Sequence, residues 1–419
     1  MQKIVIILFL FAYMLQAGFF SSPKKAAVVR KMPPMDVDYE KGEALSILNE
    51  IRETMGMNAL MPNSRLQMAA QAHADYLVRN HTVSHSEMEG LPGFTAKTPA
   101  GRAFRAGYLS SQVLENLSAQ TRDARHSIDG LLSAIYHRFA FLNVGIDEVG
   151  VGLSQDPKDP ENNAFVYVMG NSYLDGLCRE KSFKGYGRYL YHVCRDKSFR
   201  VAQKRFSEAK NANKINNPKV VVYPYDGQQE VPPAFYSEIP DPLPDYEVSG
   251  FPVSVTFNDF FFDKVELLRF RLYREGGRVA TPVRLLSRKS DPNGRFSDHE
   301  FALFPLERLA YDTDYKAEIV YRHRGRKRYL GWQFHTKVPS ERMLRITARE
   351  ATIAIKKDES YLLYIVPLNP HDVIEGVVFP DDVYVRFVDN NTLRLKLMSH
   401  RDDSFDIKSK YHTIHVNIK

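Results

Sequence analysis

The chain has 419 residues, so two to four domains are expected at roughly 100–200 residues each. Hydrophobic residues make up 44% and charged residues 26%, which excludes a largely disordered chain. The net charge of +7 is scattered, and no basic helix, zinc-finger spacing or RNA-binding signature is present, which excludes a dedicated nucleic-acid binder.

The chain opens "MQKIVIILFLFAYMLQAGFF", with Lys3 ahead of an apolar run from Ile4 to Leu15 and the small-residue end Gln16-Ala17-Gly18. Residues 1–20 therefore read as a signal peptide, or as an uncleaved N-terminal anchor lengthened by Phe19 and Phe20. Either reading implies export to the periplasm, the cell surface or the medium. No cysteine stands at the end of the run, and no later segment is apolar enough to span a bilayer. Residues 21–38 form a Lys- and Pro-bearing linker.

From Tyr39 the apolar positions Ala44, Leu45, Leu48, Ile51 and Met55 recur at helical spacing. A second helix is capped by Asn63 or Ser64, with Leu66, Ala69, Ala70, His73 and Leu77 on its apolar stripe. A polar loop from Asn80 to Gly101 leads to a short helix stopping near Gly107. A third long helix is expected from about Ser127 to Phe141, followed by strands "EVGVGLS" and "AFVYVMGNSY" across a turn-rich "QDPKDPENN". Helices followed by strands predict an α+β domain over 39–175.

Residues 176–217 form a basic, aromatic connector holding the two cysteines. In an exported chain, Cys178 and Cys194 are expected to form a disulfide, contributing on the order of 3 kcal/mol by restricting the unfolded chain. A Pro-dense stretch then opens near Pro218, and short alternating runs continue to about 338 at the spacing of an all-β sandwich. The lone Trp332 falls in such a run and is expected in its core. Residues 339–419 predict a second, small β domain.

Three stretches of the first domain carry candidate chemistry: "HTVSHSEMEG" with Ser84-His85, "LENLS" with Glu115-Asn116, and "SAIYHRFAFLNVGIDEVGVGL" with His137-Arg138. No one of them is specific. Their order, with Arg102 to Tyr108 between the first two and a Gly-Val-Gly strand after the last, resembles bacterial members of the CAP superfamily (SCP, or cysteine-rich secretory protein domain) over roughly residues 40–175. The resemblance implies an α-β-α sandwich with a cleft to which His85, Glu115 and His137 belong, supported by Ser84, Asn116 and Arg138. Eukaryotic members add a second Glu ahead of the second His. That place falls near Ser133 or Ala134 here, and the nearest carboxylate in the segment is Asp129. The β region of 218–338 is similar to bacterial Ig-like domains, which implies a spacer or adhesion surface.

Neutral imidazoles bind Zn(II) well, so a divalent metal in the cleft is one expectation, and general-base work is another. No nucleophile stands out. The first functional reading is an exported cell-envelope protein whose cleft binds a metal, lipid, glycan or protein partner. A metal-dependent hydrolase acting on peptides or the cell wall, and a structural envelope protein, are the alternatives. The remaining polar residues are expected to be bland: His73 a core histidine, Arg138 a buried structural residue, and His81, Glu87 and Glu89 solvated.

Overall fold

The computed structural model describes residues 34–274, 276–277, 282–397 and 402–419. Residues 1–20, expected as a signal peptide or N-terminal anchor, and most of the expected linker lie outside the described residues. No helix among the described residues is long and apolar enough to cross a membrane.

The first helix, α1 (Val37–Thr54), starts on an Asp36 side chain that accepts from the Tyr39 amide. A two-residue strand, β1 (Met61–Pro62), precedes α2 (Ser64–Arg79), which Asn63 caps through the Arg65 and Leu66 amides. Then follow α3 (Pro99–Arg105), β2 (Leu114–Ala119), α4 (Ala124–Ser133), α5 (Ile135–Phe141), β3 (Glu148–Gln155) and β4 (Asn163–Gly170). The four strands form one sheet in the order β1-β3-β4-β2.

Alternation along β4 explains the layering. Phe165, Tyr167 and Met169 face a core shared with α1 and α4, and Ala164, Val166 and Val168 face α2. Every residue of β4 is buried, because both faces of the sheet are covered. Each aliphatic side chain fully buried here contributes roughly 1.5–3 kcal/mol. The glycines of β3 allow α2 to lie directly on the sheet. A Cβ at Gly150 would stand 2.0 Å from the Gln67 amide nitrogen, and one at Gly152 2.3 Å from the Ala70 carbonyl carbon.

The expected single helix from 127 to 141 is instead α4 and α5, broken at Ala134, whose ψ of 120° leaves the helical range. Two more helices follow, α6 (Ser172–Leu177), which starts ahead of the expected connector, and α7 (Gln203–Ile215) within it. Cys178 and Cys194 are bridged between them.

Downstream of α7, the regular structure of the described residues is β. Strands 220–223, 253–257, 283–287 and 300–305 form one four-stranded sheet, and strands 228–231, 266–274, 314–323 and 326–336 form another. Trp332 is buried between them against Phe270, with 5.8 Å between ring centroids. The apolar residues of these sheets run continuously into those of α1 and α4. The remaining strands, from Arg342 to Ile418, form a four-stranded and a three-stranded sheet around a core of their own.

Candidate functional site

The first half of the site is built from residues close in sequence. His85 lies in the loop after α2, with its side chain 44% exposed. Its Nδ1 is 3.0 Å from Glu115 Oε1 on β2, and the Glu115 side chain is 1% exposed. Beneath it, Arg102 of α3 donates from Nη2 to both Glu115 oxygens at 2.7 and 2.8 Å, and to the His85 carbonyl at 3.0 Å.

Glu87 closes this network, and the expectation that it is solvated is wrong. Its carboxylate is buried and accepts from the Thr95 amide at 2.6 Å and the Ala96 amide at 3.2 Å. A carboxylate that answers two backbone amides satisfies donors the loop leaves unpaired, which outweighs its desolvation. Glu89 is exposed, as is His81. His73 is fully buried on α2, its Nδ1 3.0 Å from Glu87 and its Nε2 2.9 Å from the Ser84 carbonyl.

Burial pushes both Glu115 and Glu87 toward protonation. For Glu115 the His85 hydrogen bond and the Arg102 charge outweigh it, and for Glu87 the His73 and Thr95 hydrogen bonds do, so both lie below the ordinary carboxylate value.

The second half is built differently. His137 of α5 has its Nδ1 2.8 Å from Glu238 Oε2, with side chains 13% and 3% exposed. Glu238 comes from the Pro-dense segment of the β region, just after the strand Ala234–Tyr236. The same carboxylate accepts through Oε1 from the Ile135 amide at 2.5 Å and the Tyr136 amide at 3.3 Å. No side chain of its own segment caps α5, so Glu238 serves as its N-cap from a distant part of the chain.

Each neighbour of His137 also reaches the β region. Arg138, fully buried, donates to the Pro252 carbonyl at 2.6 Å and to Ser254 Oγ at 3.1 Å. Its guanidinium lies over the Tyr223 and Phe251 rings at 4.8 and 4.9 Å. Burial pushes Arg138 down to about 10, which still leaves it charged at neutral pH. Tyr136 bonds Asp291, and Phe139 packs edge-on against Phe296. What holds the His137 helix is therefore Glu238 and the β region. Asn116 ties the helix to β2, donating from Nδ2 to the His137 carbonyl at 2.8 Å.

The two imidazoles meet. Their ring centroids are 6.2 Å apart and their planes 23° from parallel. With each Nδ1 on a carboxylate, the neutral tautomer carries its lone pair on Nε2, and neither Nε2 hydrogen-bonds a described residue. Ser84 Oγ accepts from the Ser86 amide and has no bond to His85, so it is not placed as a nucleophile. Two cavities, of about 490 and 270 Å³, lie elsewhere, against α6–α7 and beside the disulfide. Asp129 lies on α4, and the carboxylates on His85 and His137 are Glu115 and Glu238 instead. The acid that partners His137 is Glu238, and nothing in the local spacing signals it.

Residues 45–171 match the family model described as CAP, the cysteine-rich secretory protein family. That segment is a CAP domain, and after α6 and α7 it is followed by β structure. Solved structures similar to the chain include an outer surface protein of Borrelia burgdorferi, 21% identical, covering 32% of this chain and 95% of that one, with a TM-score of 0.28. Another is an extracellular protein containing an SCP domain from Bacillus anthracis, also 21% identical, with coverages of 32% and 40% and a TM-score of 0.28. A cysteine-rich secretory protein of Staphylococcus aureus is 16% identical, with coverages of 33% and 40% and a TM-score of 0.21. The chain thus spans well under half the length of the last two. No curated protein sequence matches it.

Proposed function

We propose that the chain is an exported binding protein of the cell envelope. In this reading its CAP domain takes a ligand at the Nε2 atoms of His85 and His137, and its Ig-like β modules act as spacer and support. The observation that supports it is the pair of stacked imidazoles, each fixed at Nδ1 by a nearly inaccessible carboxylate and each with Nε2 uncommitted.

Carboxylate-oriented imidazoles are suited to a borderline divalent cation, Zn(II) above all. Both carboxylates are occupied on the Nδ1 side, and among the described residues no group of three or more His, Cys, Asp or Glu is arranged around one cation. The chain thus offers two nitrogen ligands, and the other positions fall to water or to a donor group of the partner. When bound, the cation would supply Lewis acidity. Binding is favoured over hydrolysis because a metal-bound water would need a general base beside it, and both carboxylates of the site are committed to the Nδ1 atoms.

Equilibrium dialysis of Zn(II) against the full chain tests this. One exchangeable ion is expected, with affinity falling at least about tenfold in both His85→Ala and His137→Ala. Uptake unchanged in both variants rejects the metal as ligand.

A further inference from the structure

One loop of the basic, aromatic connector concentrates positive charge at the surface. Residues 179–200 carry seven of the basic side chains against two acidic ones, Glu180 and Asp196, within a whole-chain excess of +7. Lys181, Lys184, Arg188, Arg195 and Lys197 are all exposed and make no ion pair among the described residues. Three tyrosines are exposed on the same loop. Tyr189 and Tyr191 are 39% and 47% exposed, and Tyr186 stands wholly clear of the protein between Gly185 and Gly187.

This loop has a built base. The Cys178–Cys194 bridge closes it. Arg195 donates its amide to the Leu109 carbonyl and Ser111 donates its own to Val193, both at 2.8 Å, pinning the loop to the CAP domain. Tyr189–Leu190 pairs with Val201–Ala202 as a small ribbon. The loop lies beyond the residues matched to the family.

We propose that this loop docks the protein on an anionic lipid surface. Tyrosine has an apolar body and a polar tip, which suits it to the headgroup level of a bilayer, and unpaired Lys and Arg are drawn to anionic headgroups. A glycan partner fits the geometry less well. The Tyr189 and Tyr191 rings are edge-to-face at 86°, so they make no shared platform for a sugar, and Arg200 covers the Tyr189 ring at 5.0 Å. The fully exposed Tyr186 at the apex suits a planar surface better than a groove for a polymer.

The apolar run at Ile4–Leu15 can bind vesicles by itself, so the readout must come from the loop. Tyr186→Trp in the full chain supplies it, since the one native tryptophan, Trp332, is buried in the sandwich. With phosphatidylcholine–phosphatidylglycerol vesicles, the reporter's emission is expected to shift to the blue and to be quenched by brominated lipid. Pure phosphatidylcholine should give neither effect. Adding Lys181→Ser, Lys184→Ser and Arg188→Ser should weaken the quenching partition by about 10–100-fold, as should high salt. Several results overturn the proposal: vesicle binding without reporter quenching, quenching equal on neutral lipid, no loss in the charge-depleted variant, or a response to soluble anionic polysaccharide with none to vesicles.

Discussion

The two imidazoles of the site are held by the same device, but the material differs. His85 rests on a carboxylate whose counter-charge comes from nearby: Glu115 is neutralised by Arg102, itself backed by Glu87 and His73. His137 rests on Glu238, 101 positions away in the β region. The first half is closed within the CAP domain. The second is borrowed, and with it come the cap of α5 and the carbonyl that satisfies Arg138. A His-Arg pair that reads as a cleft motif is, in this chain, also the bolt joining the CAP domain to the sandwich.

The sharpest way to break the comparison is to strip the counter-charge from the local half. Arg102→Met leaves Glu115 and Glu87 buried together without their guanidinium. Removing one partner of a buried ionic network costs about 3–5 kcal/mol, and urea unfolding should register that loss. Zinc affinity should fall with it, while the Glu238–His137 contact is untouched. A loss under about 1 kcal/mol would mean that the surrounding hydrogen bonds, rather than the charge, hold the carboxylates.

Glu238→Gln is the matching change on the borrowed half. Glutamine has one oxygen for two tasks: if it still caps Ile135, the amide NH2 faces His137 Nδ1 and donates to it, which moves the imidazole proton to Nε2. A stability loss of about 1–3 kcal/mol follows from weakening a bond to a charged partner. The expected loss in Zn(II) affinity is about 10–100-fold, the usual consequence of losing a group that orients a ligand. Unchanged affinity would show that the two halves are not equivalent and that His137 stands outside the binding site.

Acid probes the local half again, with a smaller effect, because it neutralises carboxylates without stranding them. Glu115 and Glu87 lie below the ordinary carboxylate value, so the folded state binds their protons less readily than the unfolded chain does. Their stabilisation is complete above the unfolded value, near about pH 4.3. It is lost as pH falls through the folded values. Urea midpoints measured downward in pH should therefore hold to about pH 4.3 and drop below it. Arg102→Met should flatten that drop.

How far the site was legible follows the same division. The order Ser84-His85, Glu115-Asn116, His137-Arg138 stood in one stretch of sequence, and the structure brings His85, Glu115 and His137 to one place. Glu238 was not legible, because it lies in a Pro-dense stretch without periodicity and only tertiary packing sets it under α5. Glu87 was missed for a related reason: its burial depends on amides of Thr95 and Ala96 that a loop reading leaves unassigned. The layers around β4 were visible as periodic apolar positions. The break at Ala134 was not, since the apolar pattern runs through it from Leu132 to Ile135. Gly150 and Gly152 were read as strand, but their need for glycine, the direct approach of α2, appears only once helix and sheet are packed.

The smallest effect tests whether the halves are joined through the sheet. Asn116 is buried on β2, next to Glu115, and its amide reaches the His137 carbonyl. Among the described residues it is the side chain of the motif set that hydrogen-bonds the second half from the first. Asn116→Ala removes a single neutral hydrogen bond and should cost about 0.5–1.5 kcal/mol. Because α5 remains clamped by Glu238 and Arg138, the His137 ring should keep its place and Zn(II) affinity should change less than in Glu238→Gln. Combined with Glu238→Gln, the loss in affinity should exceed the sum of the two single losses, since contacts that hold one helix are coupled. Strict additivity in that double-mutant cycle would mean that β2 and the β region position His137 independently, and that the bolt between the domains does not pass through the sheet.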